Sequence, residues 1–224
     1  MRTSALLLLA FAGNSFAQTA VVESPNSQIK VTISDENSTP SYAISFKNKP
    51  AINASRLGFE FKTQAAFSDG FKITHVKQQS VNTQWQQPWG ERQTVTDKHN
   101  EVAVTFTKNE PNGATYTVRF RAFDSGVGFR YEVPKQAGFK QTHITKELTE
   151  FAINNNNNAT AWWIPARGWN RYEYVYNTTA LNDVPLAHTP FTLKTNDGTH
   201  ISIHEAALVD YAGMVLNQRR PGTF

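Results

Sequence analysis

The stretch Val102-Ala-Val-Thr-Phe-Thr-Lys-Asn-Glu-Pro-Asn-Gly-Ala-Thr-Tyr-Thr-Val-Arg-Phe-Arg-Ala-Phe-Asp-Ser-Gly-Val-Gly-Phe-Arg-Tyr-Glu-Val133 decides the fold. In three successive runs, apolar residues occupy every second position, which is the period of a strand with one buried face. Pro111-Asn-Gly113 and Asp124-Ser-Gly126 separate the runs and supply residues that tolerate the positive φ of tight turns. The stretch therefore predicts a meander of three consecutive antiparallel strands.

Short runs with the same period recur on both sides of this meander. They lie at residues 29–33, 42–46, 57–61, 71–73, 162–164, 172–176, 191–193 and 201–203. Ser38-Thr-Pro40 and Asn196-Asp-Gly198 are turn signals that join neighbouring runs into hairpins. No window of a dozen residues has convincing helical periodicity, and residues 142–151 come nearest to it. The pattern predicts an all-β chain, a large antiparallel β-sandwich in one domain over residues 18–224.

The N-terminus has the pattern of an export signal over residues 1–17. Met1-Arg2 is positively charged, residues 5–12 are apolar but too few to span a bilayer, and Ser15-Phe-Ala17 ends with small residues. We expect cleavage before Gln18 and a periplasmic or secreted protein. The chain contains no cysteine, which excludes disulfides and thiolate metal sites.

Composition argues against several classes of function. The formal net charge is only +4, and the 22 Lys and Arg residues are scattered, so we expect no nucleic-acid partner. After the export signal, no segment is long and apolar enough for a membrane span. The sequence has no phosphate-binding glycine loop and no G-x-S-x-G elbow, and it contains no catalytic constellation that stands alone.

Two aromatic clusters differ from the alternating aromatics that fill a sandwich core. Trp85 and Trp89 precede Gly90-Glu-Arg92, and Trp162-Trp163 leads through Trp169 to Tyr172-Glu-Tyr174. Aromatic rings beside polar groups suit a sugar face or a domain interface. The candidates for substrate binding or a domain interface are Trp89, Glu91, Arg92, Trp163 and Glu173.

Glu205 follows the last predicted strand at the point where alternation breaks down. A glutamate in this position is most often a solvated charge, but it is also well placed to reach a ligand or a neighbouring domain. The adjacent His204 suggests a zinc-protease signature, which fails because Leu208 stands where the second histidine is required. His200 and His204 are about 13 Å apart at the usual strand rise, too far to share one metal ion.

Eight ordered stretches after the export signal carry a family resemblance. They are Ser55-Arg-Leu-Gly58, Trp89-Gly-Glu-Arg92, His99-Asn-Glu101, Phe123-Asp-Ser-Gly-Val-Gly-Phe-Arg-Tyr131, Glu147-Leu-Thr-Glu-Phe151, Ala161-Trp-Trp-Ile-Pro165, Thr189-Pro190 and Ser202-Ile-His-Glu-Ala-Ala-Leu-Val-Asp-Tyr-Ala-Gly-Met214. Together they resemble the N-terminal domain of glycoside hydrolase family 97, a family of exported bacterial α-glucosidases and α-galactosidases.

The resemblance implies a β-super-sandwich, similar to that of galactose mutarotases, which is followed in the intact enzyme by a catalytic (β/α)₈ barrel and a C-terminal β domain. It implies an α-linked oligosaccharide as substrate and the enzyme's own barrel as partner. Because the catalytic carboxylates of the family lie in the barrel, it implies no catalytic residue here and no activity of this chain alone. Glu205 matches the glutamate that acts as a calcium ligand in the glucosidase branch, where the barrel supplies the other carboxylates.

Two alternatives remain open at the level of sequence. In the first, the chain is a stand-alone carbohydrate-binding module whose stacking platform consists of Trp85, Trp89, Trp162, Trp163 and Trp169. In the second, it is a mutarotase-like enzyme with His204 and Glu205 as acid and base. Adjacent residues on a strand point to opposite faces, which counts against this pair.

Overall fold

The computed structural model describes residues 17–154, 157–168 and 171–224, so the predicted export signal lies almost entirely outside the described residues. The strands are β1 (Thr19–Glu23), β2 (Ile29–Ser34), β3 (Ser41–Phe46), β4 (Lys49–Arg56), β5 (Phe59–Phe61), β6 (Phe71–Gln86), β7 (Thr94–Lys108), β8 (Thr115–Phe123), β9 (Gly126–Glu132), β10 (Ile144–Glu147), β11 (Ala152–Ile153), β12 (Thr160–Trp163), β13 (Asn177–Ala180), β14 (Leu186–His188), β15 (Phe191–Lys194), β16 (His200–Ile203) and β17 (Val215–Asn217). Two short 3₁₀ helices, Glu36–Ser38 and Leu181–Asp183, complete the regular structure of the described residues. The prediction of an all-β fold of antiparallel sheets is confirmed. Across these ranges, no helix has the length and apolar character that a membrane crossing requires.

The predicted meander forms the centre of a four-stranded antiparallel sheet with the order β6-β7-β8-β9. Val104 pairs with Val118, and both are fully buried, as the alternation predicts. At the first turn Asn112 takes a φ of +53°, whereas Gly126 at the second turn has no positive φ. The second turn is instead tied to the neighbouring sheet, because the Asp124 carboxylate accepts a hydrogen bond from the Asn26 amide at 2.8 Å.

A five-stranded sheet, β1-β2-β3-β4-β11, packs on the inner face of this meander sheet. The ring of Tyr42 lies 5.5 Å from each of the rings of Phe120 and Phe129, so the two sheets share one aromatic core. Val31 and Ile33 on β2 are completely buried in the same core. Each such apolar side chain contributes roughly 1.5–3 kcal/mol when it leaves water, which explains why the inward positions of both sheets are apolar.

A second four-stranded sheet, β13-β12-β15-β16, and the pairs β5–β10 and β14–β17 flank the sandwich. The hairpin predicted at Asn196-Asp-Gly198 is confirmed as β15–β16. The strand predicted over residues 172–176 is wrong, because these residues are irregular and the strand begins at Asn177. Their alternating aromatics do not reflect one buried face, since Tyr172 is 44% and Tyr176 54% exposed.

The hairpin formed by β6 and β7 extends well beyond the body of the sandwich. The apolar run at 71–73 predicts only the start of β6, which is 16 residues long. The body of the sandwich covers this hairpin as far as Gln78 and Asn100, whose side-chain amides donate to the carbonyl oxygens of Val21 and Glu23 at 2.8 Å. Beyond that point both faces of the hairpin carry polar side chains. Apolar residues alternate with polar ones only where one face of a strand is buried, so the sequence gives no strand signal here.

Asp35 joins the start of β1 to the start of β6. Its carboxylate is completely buried and accepts hydrogen bonds from the backbone amides of Gln18 at 2.7 Å and Ile73 at 2.9 Å. The ammonium of Lys72 lies 3.9 Å away. The segment at the start of β1 is therefore attached to the sandwich by a side chain as well as by the β1–β2 ladder.

An ionic cluster lies on the outer face of the meander sheet. Glu101 is 2% exposed and accepts hydrogen bonds from Arg119 and Arg121, while Glu132 accepts from Arg119 and Arg130. Burial would raise the pKa of Glu101, but the hydrogen bonds from the two arginines outweigh burial and hold this pKa below its ordinary value. For Glu132, the hydrogen bonds from Arg119 are the largest cause, and they lower the pKa to about 2.

We expect this cluster to make the fold sensitive to acid. A carboxyl group whose pKa is depressed in the folded state stabilises the fold fully above its unfolded pKa, about 4.5, and loses that contribution as the pH falls toward the folded value, about 2 for Glu132. Urea unfolding measured between pH about 2 and 6 should therefore show a falling free energy, with a smaller slope for Glu132→Gln. Glu110→Gln, an exposed carboxylate, is the control. Equal slopes for wild type and Glu132→Gln would contradict the assignment.

Candidate functional site

Glu205 is positioned by the end of β16. Ile203 is buried and fixes the strand, His204 is exposed, and the Glu205 side chain is half-buried where the strand ends. Its Oε1 accepts a hydrogen bond from the Met214 amide at 3.0 Å, which closes residues 204–214 into what we call the Glu205 loop. Within the part of the chain that the structure describes, Oε2 accepts no hydrogen bond, so one carboxylate oxygen is available to a ligand.

A second irregular segment, residues 171–176, approaches the Glu205 loop, and we call it the tyrosine loop. A Cβ placed on Gly213 would stand 3.3 Å from the Tyr172 hydroxyl oxygen. The ring of Tyr172 lies 4.1 Å from that of His188 on β14. His188 pairs with Val215, the first residue after the Glu205 loop, so the small β14–β17 sheet holds the two loops together.

The two loops concentrate exposed apolar side chains on one region of the surface. Of the 12 large exposed apolar side chains among the described residues, seven belong to it: Tyr172, Val175, Tyr176, Leu208, Val209, Tyr211 and Val215. We call this set the apolar face. Tyr211 is anchored there by a hydrogen bond from its hydroxyl to the Glu147 carboxylate at 3.0 Å. Exposed apolar side chains concentrated on two neighbouring loops are typical of interaction sites.

The tip of the β6–β7 hairpin carries three of the predicted candidates. Trp89 is 83% exposed, and Glu91 and Arg92 beside it are exposed. The Gln87 side chain fixes the tip by donating to the Arg92 carbonyl oxygen at 2.6 Å. No contact among the described residues joins this tip to the Glu205 loop, so the structure brings these three candidates together but not with Glu205.

The other candidates lie in different environments. Trp163 is 7% exposed, and its indole N–H donates to the Thr179 hydroxyl at 3.1 Å, so its ring is part of the core. Glu173 is exposed in the tyrosine loop, next to Tyr172, whose hydroxyl approaches Gly213 of the Glu205 loop. Trp162 stacks on His200 at 6.4 Å. Trp85 and Trp89 lie on the hairpin, and Trp169 lies outside the described residues. The tryptophans that the structure describes therefore do not form one stacking platform.

The side chains around Glu205 could provide only part of the ligands of a metal site. In the described ranges, no group of three or more His, Asp or Glu side chains is close enough to hold a metal ion. Calcium requires six to eight oxygen ligands, and a single glutamate supplies at most two of them. The Nδ1 of His204 lies 3.1 Å from the Glu205 carbonyl oxygen, so its described contact is with the backbone and not with the carboxylate. Glu205 therefore suits a calcium site that another part of an enzyme completes.

Sequence reasoning missed His188 and did not single out Tyr172 as a site residue. His188 is 2% exposed, and both of its ring nitrogens lack a hydrogen-bond partner in the described part of the chain. A histidine at the end of a short buried strand gives no sequence signal of this kind. Tyr172 was visible as part of an aromatic cluster, but only the structure shows which ring supports it.

Comparison with known proteins identifies the family. The sequence pattern that defines the Glycosyl-hydrolase 97 N-terminal family matches residues 22–223. The chain belongs to this family. The resemblance stated from the eight sequence stretches is thereby confirmed, and the match spans the whole sandwich from β1 to the C-terminal residues.

Solved structures of family 97 enzymes contain the same sandwich. The chain is similar to a glycoside hydrolase family 97 enzyme from Pseudoalteromonas sp. strain K8, with 76% identity and a TM-score of 0.88 over 92% of this chain and 31% of that one. That enzyme has been solved in complex with panose and with acarbose. A β-arabinopyranosidase at 24% identity has the same fold, with a TM-score of 0.79 over 92% of this chain and 34% of its own.

The match to a curated relative covers similar shares of the two chains. It is a retaining α-galactosidase from Bacteroides thetaiotaomicron, 20% identical over 205 residues, which are 87% of this chain and 30% of the relative. The chain thus spans about a third of the length of the family members it matches.

Proposed function

We propose that this chain is the N-terminal sandwich domain of an exported α-glycosidase that hydrolyses terminal α-linked sugars from oligosaccharides. The enzyme from Pseudoalteromonas supports the substrate class, because panose, which it binds, is a glucose oligosaccharide with α linkages. The chemistry belongs to the two thirds of such an enzyme that this chain does not contain, where the family places a catalytic barrel. Export to the periplasm or secretion is proposed on the signal pattern that precedes Gln18.

The apolar face beside Glu205 is the observation that carries this proposal. Domains of one enzyme pack through surfaces of several hundred Å², and ligand sites occur preferentially where domains meet. A barrel packed on the apolar face would remove exposed side chains such as Val175, Leu208 and Val209 from water. The same packing would place Glu205 and the exposed Glu173 at the domain boundary. Trp89, Glu91 and Arg92 are proposed as a second contact of the hairpin tip with the barrel or the pocket rim.

Glu205 is proposed as the one calcium ligand that the sandwich lends to the active site. Its hydrogen bond from Met214 orients the carboxylate, and its free Oε2 supports this role. Calcium bound there would polarise the substrate or a water molecule. Because one carboxylate does not complete a calcium site, this chain alone should bind calcium only weakly.

Glucose release from panose tests the proposal directly. We expect the intact enzyme, recovered from its native periplasm with an antibody to this chain, to be active and to have a mass far above the 25.1 kDa of this chain. The chain produced alone should release no glucose, with or without added calcium, because it lacks the catalytic carboxylates. Turnover by the chain alone would overturn the proposal. A native mass slightly below that of the chain would favour a released binding module.

A further inference from the structure

Tyr172 differs from the other exposed tyrosines because one face of its ring is supported. Its side chain is 44% exposed, and its ring centroid lies 4.1 Å from that of His188, with 30° between the planes. Tyr176 makes no ring contact among the described residues, and Tyr211 is held through its hydroxyl by Glu147. Tyr172 therefore presents one face to the protein and leaves the other accessible.

The support under Tyr172 is rigid. His188 is 2% exposed, its amide donates to the Ile164 carbonyl oxygen at 3.0 Å, and it pairs with Val215 across β14–β17. Its two ring nitrogens have no hydrogen-bond partner within the described ranges, which is unfavourable for a buried polar side chain. What the imidazole does contribute is a flat surface against the Tyr172 ring, since aromatic pairs attract in near-parallel, offset arrangements.

The position of Tyr172 places this ring next to Glu205. The Tyr172 hydroxyl lies over Gly213, and the next residue, Met214, donates its amide to the Glu205 carboxylate. A Cβ on Gly213 would stand 3.3 Å from the hydroxyl oxygen, so a larger side chain there would displace the ring. Ring, hydroxyl and carboxylate are thus assembled around one short segment of the Glu205 loop.

We propose that Tyr172 is a substrate-binding residue on which a sugar ring of the α-linked oligosaccharide stacks beside Glu205. A pyranose presents a face of C–H groups to an aromatic ring, and a ring backed by His188 loses little freedom when the sugar binds. The phenol hydroxyl is available to a sugar hydroxyl. This inference rests on the proposed function and deepens it by naming a residue that contacts the substrate.

Steady-state kinetics of the intact enzyme on panose test the inference with three variants. Tyr172→Leu removes the aromatic face, Tyr172→Phe keeps the face without the hydroxyl, and Gly213→Val displaces the ring while Tyr172 is retained. We expect KM to rise about tenfold for Tyr172→Leu and Gly213→Val and about twofold for Tyr172→Phe, with kcat changed by less than about twofold. Val133→Ala, which changes an exposed apolar residue outside every proposed contact, is the control and should keep the wild-type KM.

The outcomes separate this inference from the proposed function. If the intact wild-type enzyme releases no glucose from panose, the proposed function fails. If the wild type is active and Tyr172→Leu has the wild-type KM, stacking is wrong although the function stands. Urea unfolding of each variant distinguishes a packing role: a loss of stability and of kcat at unchanged KM would also overturn the inference.

Discussion

If the proposed function is right, Glu205→Gln in the intact enzyme is expected to lower kcat/KM for panose by at least about 100-fold, since it would remove the calcium ligand that the sandwich is proposed to supply. The amide is isosteric with the carboxylate and can still accept the hydrogen bond from Met214, so the Glu205 loop should keep its conformation. The measurement is kcat/KM together with calorimetric titration of calcium. Calcium affinity should fall in parallel, and added calcium should restore part of the activity.

The matched control for this variant is Glu110→Gln. Glu110 is an exposed carboxylate at the turn between β7 and β8, and its loss should change neither activity nor calcium binding. Wild-type calcium affinity in Glu205→Gln would show that Glu205 is not a ligand. A chelator that abolishes the activity of both enzymes equally, with Glu205→Gln as active as the wild type before chelation, would lead to the same conclusion.

Gly58→Ala is expected to lower the free energy of unfolding by at least about 3 kcal/mol. Gly58 has a φ of +136°, and a Cβ built on it would lie 1.7 Å from the Phe67 carbonyl oxygen. That oxygen accepts the Phe59 amide at 3.0 Å, so the backbone cannot move away without the loss of a hydrogen bond. Urea unfolding of the chain measures the effect.

Gly126→Ala is the corresponding control for the glycine substitution. A Cβ at Gly126 would meet no atom within 4 Å, and the residue has no positive φ. Its substitution should change the stability by less than about 1 kcal/mol. A similar loss for both variants would mean that the steric conflict at Phe67 does not determine the effect.

The sequence predicts those strands that have one face buried against a core, and it does not predict the strands that lack such a face. Val104 and Val118 alternate with polar residues because the opposite sheet buries them, and the meander was predicted correctly. The distal part of β6, around Ser80, is mostly polar, with Val81 and Trp85 too far apart to form an alternating run, and therefore gave no strand signal. At residues 172–176 aromatics alternate without a covering sheet, and the predicted strand is absent.

The candidate site was only partly predictable for a different reason. The sequence identifies Glu205 as the end of a strand, and the family resemblance gives it a role. The support of Tyr172 by His188 joins residues that are sixteen positions apart, with β13 and a 3₁₀ helix between them. Such a contact depends on how β14 and β17 pair, which local pattern does not encode.

If the predicted cleavage before Gln18 takes place, the contact between Gln18 and Asp35 links that cleavage to the stability of the sandwich. In the precursor, the nitrogen of Gln18 that donates to the buried Asp35 carboxylate is an uncharged peptide amide. Cleavage before Gln18, as the sequence predicts, would turn the same atom into an α-ammonium. A charge-assisted hydrogen bond is stronger than a neutral one by about 1 kcal/mol, so removal of the signal would itself strengthen the attachment of β1. Cyclisation of the new terminal glutamine would cancel this gain, because it removes the positive charge.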